Sequence, residues 1–306
     1  MNDFISIRGT KLEDLKNLLQ LSADLKNIYK SGKRDLCLPG KNLVMLFEKP
    51  SLRTRMSFQV AMTDLGGSAI YVKPSDIGGM IGQREPVKDM ARVLSGYVSA
   101  IMARTFKHET VTELAEYAQV PVINALTDFS HPCQAMADVL TISEHLGKLE
   151  GIQIAFIGDG NNVARSLAFA CAKLKMKLTI ASPPNYQLDT PSIDGANEIT
   201  PNTVTQLNDP FDAVKSADVI YTDTWVSMGQ EQEKQQRCND FKSFQVNTDL
   251  VNAAPDHVRI MHCLPAYRGL EITDQAAESK NSVIFDQAEN RLHFQRALLK
   301  YLLTGK

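Results

Sequence analysis

Apolar runs of strand length alternate with segments of helical periodicity along the chain, and no other feature restricts the fold as tightly. Residues 43–47 (LVMLF) are continuously apolar. A strand with one wet face would alternate apolar and polar side chains, so this run predicts a strand buried on both faces. A helix is predicted over 53–65, stopped by Gly66-Gly67, and then a short strand over 69–72. Pro86 suits the first turn of a helix carrying Val87, Met90, Val93, Leu94 and Tyr97 on one face. Strands are expected at 100–103 and 120–124, with a helix at 109–118 between them, and a long helix at 135–146.

The pattern then restarts. It gives a strand at 152–157, a helix at 163–174, strands at 178–181, 218–222, 258–261 and 283–285, and a closing helix at 287–303. Two stretches are predicted to be loops: 182–209, rich in Pro and Asn, and the polar run 230–240, which suits a mobile loop. Near the start, Thr10-Lys11-Leu12-Glu13 has the form of a capping box, and Gly32 suits the far end of that first helix. The alternation predicts an α/β chain with two doubly wound parallel-sheet domains. Their expected extents are 1–145 and 146–286, with the helix of 287–306 packing back onto the first. Three hundred and six residues is a natural length for two domains of about 100–200 residues each.

Composition narrows the function classes. A 43% hydrophobic and 22% charged chain can bury a core, which excludes disorder. A formal charge of -2 argues against a nucleic-acid or membrane-surface binder. Cys37, Cys133, Cys171, Cys238 and Cys263 are odd in number and contain no C-x-x-C, so neither a disulfide framework nor a zinc site is suggested. The opening MNDFISIRGTKLEDL has no basic stretch leading into an apolar one, and a cytoplasmic location is expected.

Several segments stand where a predicted strand ends and a helix begins, the place where open α/β sheets hold ligands. Ser51-Leu52-Arg53-Thr54-Arg55 combines a helix N-terminus with hydroxyls and guanidinium forks, which suits either an anion or a solvated helix start. Gly158-Asp159-Gly160-Asn161-Asn162 begins like a dinucleotide fingerprint, but Val163 fills the third glycine position, and a plain strand-turn-helix accounts for it as well. His131-Pro132-Cys133-Gln134 and His262-Cys263-Leu264-Pro265 each offer a histidine and a cysteine that could be packed or reactive. Asp223 leads into Trp225-Val226-Ser227-Met228-Gly229.

Taken together and in order, Ser-x-Arg-Thr-Arg, His-Pro-x-Gln, Asp-x-x-x-Ser-Met-Gly and His-Cys-Leu-Pro resemble the aspartate/ornithine transcarbamylase family, on its ornithine branch. The resemblance runs from the helix at Thr10 to the one ending at Leu303. It implies a carbamoyl phosphate domain, a Rossmann-like ornithine domain, and helices joining them. Carbamoyl phosphate would be held by Ser51, Leu52, Arg53, Thr54, Arg104, His131, Gln134 and Arg291. Ornithine would be held by Asn162, Asp223, Ser227, Met228, Cys263 and Leu264. Arg104, His131, Cys263 and Asp223 would carry the chemistry, which makes citrulline for arginine biosynthesis. A transcarbamylase for another amine, putrescine or an acylated ornithine, is the alternative. No cofactor and no metal are implied. The family's 75–85 loop reaches into a neighbouring subunit, so a homotrimer or a multiple of it is expected. Many relatives carry Gln where this chain has Met80, and Arg84 is the candidate cation of that loop.

Overall fold

Every strand pairing within the two sheets is parallel. In the computed structural model, which describes residues 1–227 and 229–305, the first sheet comprises β1 (Asn42–Phe47), β2 (Ser68–Val72), β3 (Ala100–Arg104) and β4 (Val122–Leu126), in the order β2-β1-β3-β4. The second comprises β5 (Gln153–Ile157), β6 (Lys177–Ala181), β7 (Val204–Leu207), β8 (Val219–Thr222) and β9 (Arg259–His262), in the order β7-β6-β5-β8-β9. The longer helices are α1 (Leu12–Lys30), α2 (Leu52–Asp64), α3 (Val87–Ser95), α4 (His108–Tyr117), α5 (Pro132–Leu146), α6 (Asn162–Leu174), α7 (Thr190–Ile199) and α8 (Ile284–Thr304).

The chain forms two units, Met1–Leu140 with Glu289–Lys306, and Thr141–Ala288. In the first, Val44, Leu46, Ile101 and Ala103 pack with Val87 and Met90 of α3 and with Val111 and Leu114 of α4. In the second, Ile157, Ile220 and Ile260 pack with Trp225, Phe241 and Phe244. Phe156 stacks on Tyr221, whose hydroxyl accepts from Gln287 Nε2 at 3.2 Å. Each sheet reverses its winding direction once. In the first this happens between β1 and β3; in the second, between β5 and β8. Two strands diverge there toward opposite crossovers, and the crevice beyond their carboxyl ends is the usual ligand position.

Five local expectations are corrected. The Thr10 hydroxyl donates to Ser6 O at 2.9 Å, so Lys11, with no side-chain bond, stands at the N-cap of α1 and no capping box forms. The 182–209 stretch contains α7 and β7: Asp189 caps α7 by accepting from Ser192 N at 2.9 Å, and Pro191 occupies its first turn. Polar composition concealed a helix start whose signals were local and present. The 230–240 run is a 3₁₀ turn, Glu231–Glu233, followed by the helix Lys234–Asp240. Residues 283–285 are not a strand. Val283 N donates to Ile260 O at 3.0 Å, and the chain then enters α8, leaving Phe285 exposed. The predicted 135–146 helix begins earlier, at Pro132.

Candidate active site

Beyond β1, the chain turns through Glu48-Lys49-Pro50 into α2. Ser51 is extended (φ -159°, ψ 115°), and its Oγ accepts from Thr54 N at 3.3 Å. The first N–H groups of a helix have no intrahelical acceptor, so α2 presents a positive end beside the β1–β3 divergence. Thr54 is buried there, while the Leu52 side chain is exposed. Arg55 is turned away: its guanidinium carbon lies 4.0 Å from the centre of the Tyr71 ring.

Arg104 ends β3 and is buried, with Nε donating to Lys49 O at 3.2 Å. His131 precedes α5, and its carbonyl accepts from Gln134 N and Ala135 N. Burial, then Arg291, then Arg104 hold its imidazole well below the usual histidine range. It is therefore neutral at pH 7 and can donate one N–H without bringing a third positive charge. Gln134 is fixed at both ends of its amide. Nε2 donates to Asp138 Oδ1 at 2.8 Å, and Oε1 accepts from Arg291 Nη1 at 2.6 Å. Arg104, His131, Gln134 and Arg291 thus form one buried polar cluster. Two guanidiniums, a helix N-terminus, a hydroxyl and a neutral imidazole suit a small phosphorylated anion with a carbonyl beside it. Cys133 takes no part, since burial pushes its thiol up to about 12.

In the second unit the β5–β8 divergence places Gly158–Asn161 beside Asp223. Gly160 is required by packing: a Cβ there would lie 2.1 Å from Leu188 N. That close approach accounts for a glycine in the fingerprint-like turn without any nucleotide. Asn161 caps α6, accepting from Val163 N at 2.8 Å and Ala164 N at 3.2 Å, while its Nδ2 donates to Asp223 Oδ2 at 2.8 Å. The other carboxylate oxygen accepts from Thr224 N at 2.7 Å and from Cys263 Sγ at 2.9 Å. Asp223 is buried, and Cys263 is half-buried.

The Cys263 backbone is set by its neighbours. His262 Nδ1 accepts from Leu264 N at 2.8 Å, and its Nε2 faces Glu271 Oε1 at 3.0 Å, both side chains fully buried. Glu271 Oε1 also accepts from Tyr267 N at 2.6 Å. Leu264 takes the left-handed conformation (φ 58°), unusual for a residue with a Cβ, and its N–H bond to His262 helps to hold it there. Asp223, His262 and Cys263 lie within 4.8 Å of one another through their ligand atoms. With both ring nitrogens of His262 already engaged, a metal could use that histidine only by dismantling the turn.

A further anchor is absent from the sequence-derived residues. The buried Arg237 donates through Nη1 to Asp159 Oδ2 at 2.9 Å and to Trp225 O at 3.2 Å, and through Nε to Glu233 at 2.8 Å. Burial raises the Asp159 carboxyl above its usual range, and Arg237 pulls against that shift. Trp225 itself is core, stacked on Phe241 at 5.9 Å. Ser227 follows it, half-buried, its N–H donating to Gln230 Oε1 at 3.0 Å. Met228 lies outside the described residues. Asn162 opens α6 next to Asn161, and Ser166 Oγ donates to its carbonyl at 2.8 Å. The signal for Asn161 was present, because Asn directly before a helix is a preferred cap. Arg237 gave no local signal.

The comparisons with known proteins agree across both units. Residues 2–144 match the aspartate/ornithine carbamoyltransferase carbamoyl-P binding domain, and residues 150–302 the Asp/Orn binding domain of the same family. The chain is 49% identical to an ornithine carbamoyltransferase of Anoxybacillus flavithermus, covering 98% of this chain and 96% of that one. It is 48% identical to an anabolic ornithine carbamoyltransferase of Pyrococcus furiosus, covering 99% and 96%. Among solved structures, the ornithine carbamoyltransferase of Pyrococcus furiosus superposes with a TM-score of 0.96 at 47% identity, covering 100% of this chain and 98% of that one. The anabolic enzyme of Campylobacter jejuni gives 0.92 at 38% identity, covering 100% of both chains. The chain belongs to the aspartate/ornithine carbamoyltransferase family.

Proposed function

We propose that this protein transfers the carbamoyl group of carbamoyl phosphate to the δ-amine of L-ornithine, releasing L-citrulline and phosphate. The observation that carries the ornithine assignment is the 2.9 Å contact from Cys263 Sγ to the buried carboxylate of Asp223. The relatives named above, all ornithine carbamoyltransferases, support it.

In this reading Ser51, Leu52, Arg53 and Thr54 cradle the phosphate at the start of α2. Arg104 bridges phosphate and carbonyl, and Arg291 and Gln134 complete the carbamoyl site. The amine attacks the carbonyl carbon, and the oxygen gains negative charge that Arg104, Thr54 and the neutral His131 are placed to accept. Donors fixed before the reaction stabilise that charge without reorganisation. The tetrahedral adduct collapses by breaking the bond to the phosphate oxygen. Because the donor is already a mixed anhydride, the reaction needs no cofactor.

Asn162, Asp223, Ser227 and Met228 hold the amino-acid end of ornithine, and Leu264 and Cys263 flank the δ-amine. That amine is protonated in water, with a pKa near that of lysine, about 10.4. Only the neutral form attacks, so a group that takes its proton is required. Cys263 can accept it while passing the thiol proton to Asp223. An α-ammonium calls for a carboxylate partner, which favours ornithine over an acylated ornithine, and the N-terminal side of α6 with Ser227 offers donors for the α-carboxylate that putrescine lacks. The working form is a homotrimer, or a multiple of it, in the cytoplasm, serving arginine biosynthesis. Among the described residues, no helix is long and apolar enough to cross a membrane.

With carbamoyl phosphate present, ureido product should form far faster from L-ornithine than from L-aspartate, putrescine or N-acetylornithine. Preferred turnover of any of those three amines would overturn the assignment.

A further inference from the structure

Lys49 stands between β1 and the Ser51 cap, at the divergence of β1 and β3. Its carbonyl accepts from Arg104 Nε at 3.2 Å. Its side chain reaches across toward the exit of β3, with Nζ 4.4 Å from the centre of the Phe106 ring. Phe106 is held in turn, its N–H donating to Glu48 Oε2 at 2.8 Å, while Glu48 Oε1 accepts from Ile81 N at 3.0 Å. A lysine amine is therefore fixed over the carboxyl ends of the two strands that carry the proposed carbamoyl phosphate cradle. The mechanism above gives it no part.

We propose that Lys49 is a self-modification site, carbamoylated on Nζ by the protein's own carbamoyl donor when no acceptor amine is present. The inference rests on the carbamoyl phosphate reading of this half of the site. The neutral amine of Lys49 attacks the carbamoyl carbon and forms a C–N bond. The bond from that carbon to the phosphate oxygen breaks, phosphate leaves, and the amine's surplus proton passes to solvent. The product is a neutral urea where a cation had stood beside Arg104 and the anion cradle. Carbamoyl phosphate without ornithine would thus slowly weaken its own binding site.

Two features make this lysine chemically fit. An ordinary lysine is neutral in only about one molecule in 2,500 at pH 7. Burial and then the Arg104 guanidinium hold Lys49 below the usual lysine range, against the opposing pull of Asp128 and Glu48. Depression increases the neutral fraction at neutral pH. The aromatic face of Phe106 attracts the ammonium form, but it also restrains where Nζ can point, which keeps the amine at the strand ends.

Lys173 supplies an internal control. Burial alone lowers its amine too, but it lies on α6 in the other unit and belongs to none of the segments that form the proposed donor site. Lys215 is an exposed lysine whose amine is raised by its bond to Asp212. The full-length protein is incubated at pH 7.5 with carbamoyl phosphate alone, or with potassium cyanate alone, and lysine occupancy is followed by peptide mass spectrometry. Cyanate, which carbamoyl phosphate also releases in water, reports intrinsic amine reactivity. The expected result is that carbamoyl phosphate raises the ratio of Lys49 to Lys173 modification several-fold above the ratio with cyanate. Lys215 should be slowest in both arms. Added ornithine should suppress the Lys49 product, and a Lys49→Arg protein should keep its starting rate through an incubation that slows the wild type.

Equal Lys49 to Lys173 ratios in the two arms would overturn the proposal, because free cyanate would then account for all the product. Citrulline formation is measured on the same preparation. A protein that makes citrulline yet leaves Lys49 unmodified overturns this inference alone. One that makes none from carbamoyl phosphate and ornithine overturns the reading beneath it.

Discussion

Cys263 shows how little a residue's identity says without its neighbours. A half-buried cysteine usually behaves as a small hydrophobe. Here its thiol donates to a carboxylate that Asn161 and the Thr224 N–H already hold in place, so a proton has a defined path. Cys263→Ala should raise KM for ornithine and lower kcat by about 10²–10⁴-fold, the usual loss when acid–base assistance is removed. Binding of carbamoyl phosphate, measured by calorimetry, should stay near its wild-type affinity. An unchanged rate with a small loss of stability would make the thiol mere packing. Asp223 and Cys263 were visible in the sequence through their motifs. Asn161 is not distinguished in the sequence, because two adjacent asparagines stand at the start of α6 and only the backbone angles of the turn decide which one caps the helix and faces Asp223.

At the scale of elements, Trp225, Glu233 and the helix Lys234–Asp240 are fastened together by one buried cation. Arg237 ties the Trp225 carbonyl and Glu233 to Asp159 in the turn after β5, so the residues on either side of Ser227 share one anchor. Removing one partner of a buried pair leaves the other charge stranded, at a cost of about 3–5 kcal/mol. Arg237→Met should therefore raise KM for ornithine and leave KM for carbamoyl phosphate close to wild type. Limited proteolysis should cut the variant faster within residues 226–233. Equal changes in both KM values would mean a general loss of folding rather than a loosened anchor. By its polarity alone, 230–240 suits a mobile loop. Polarity reports average exposure and cannot show that one arginine among several charges is covered.

At the scale of the molecule, the first unit leaves large apolar side chains exposed, among them Leu52 and Tyr97, each at 75%, and Leu36 at 64%. Scattered exposure is ordinary, but side chains of this size suit contact with a second copy of the chain. Sedimentation should give an active species of trimer mass or a multiple of it, and an active monomer would refute the proposed assembly. The sequence by itself determined where most strands and helices lie, because apolar period, Gly stops and Pro starts act within a few residues. It also determined the family, since its four motifs are runs of consecutive residues. Tertiary structure alone decided the strand orders that bring the Ser51 cap beside Arg104 and the Gly158 turn beside Asp223. Strand pairing is set by distant contacts, so no local pattern encodes it. Tertiary structure also decided which polar groups are buried and how they are charged. His131 is neutral, Asp159 is raised and Arg237 is covered because of what folds against each of them, and that is a property of the assembled chain.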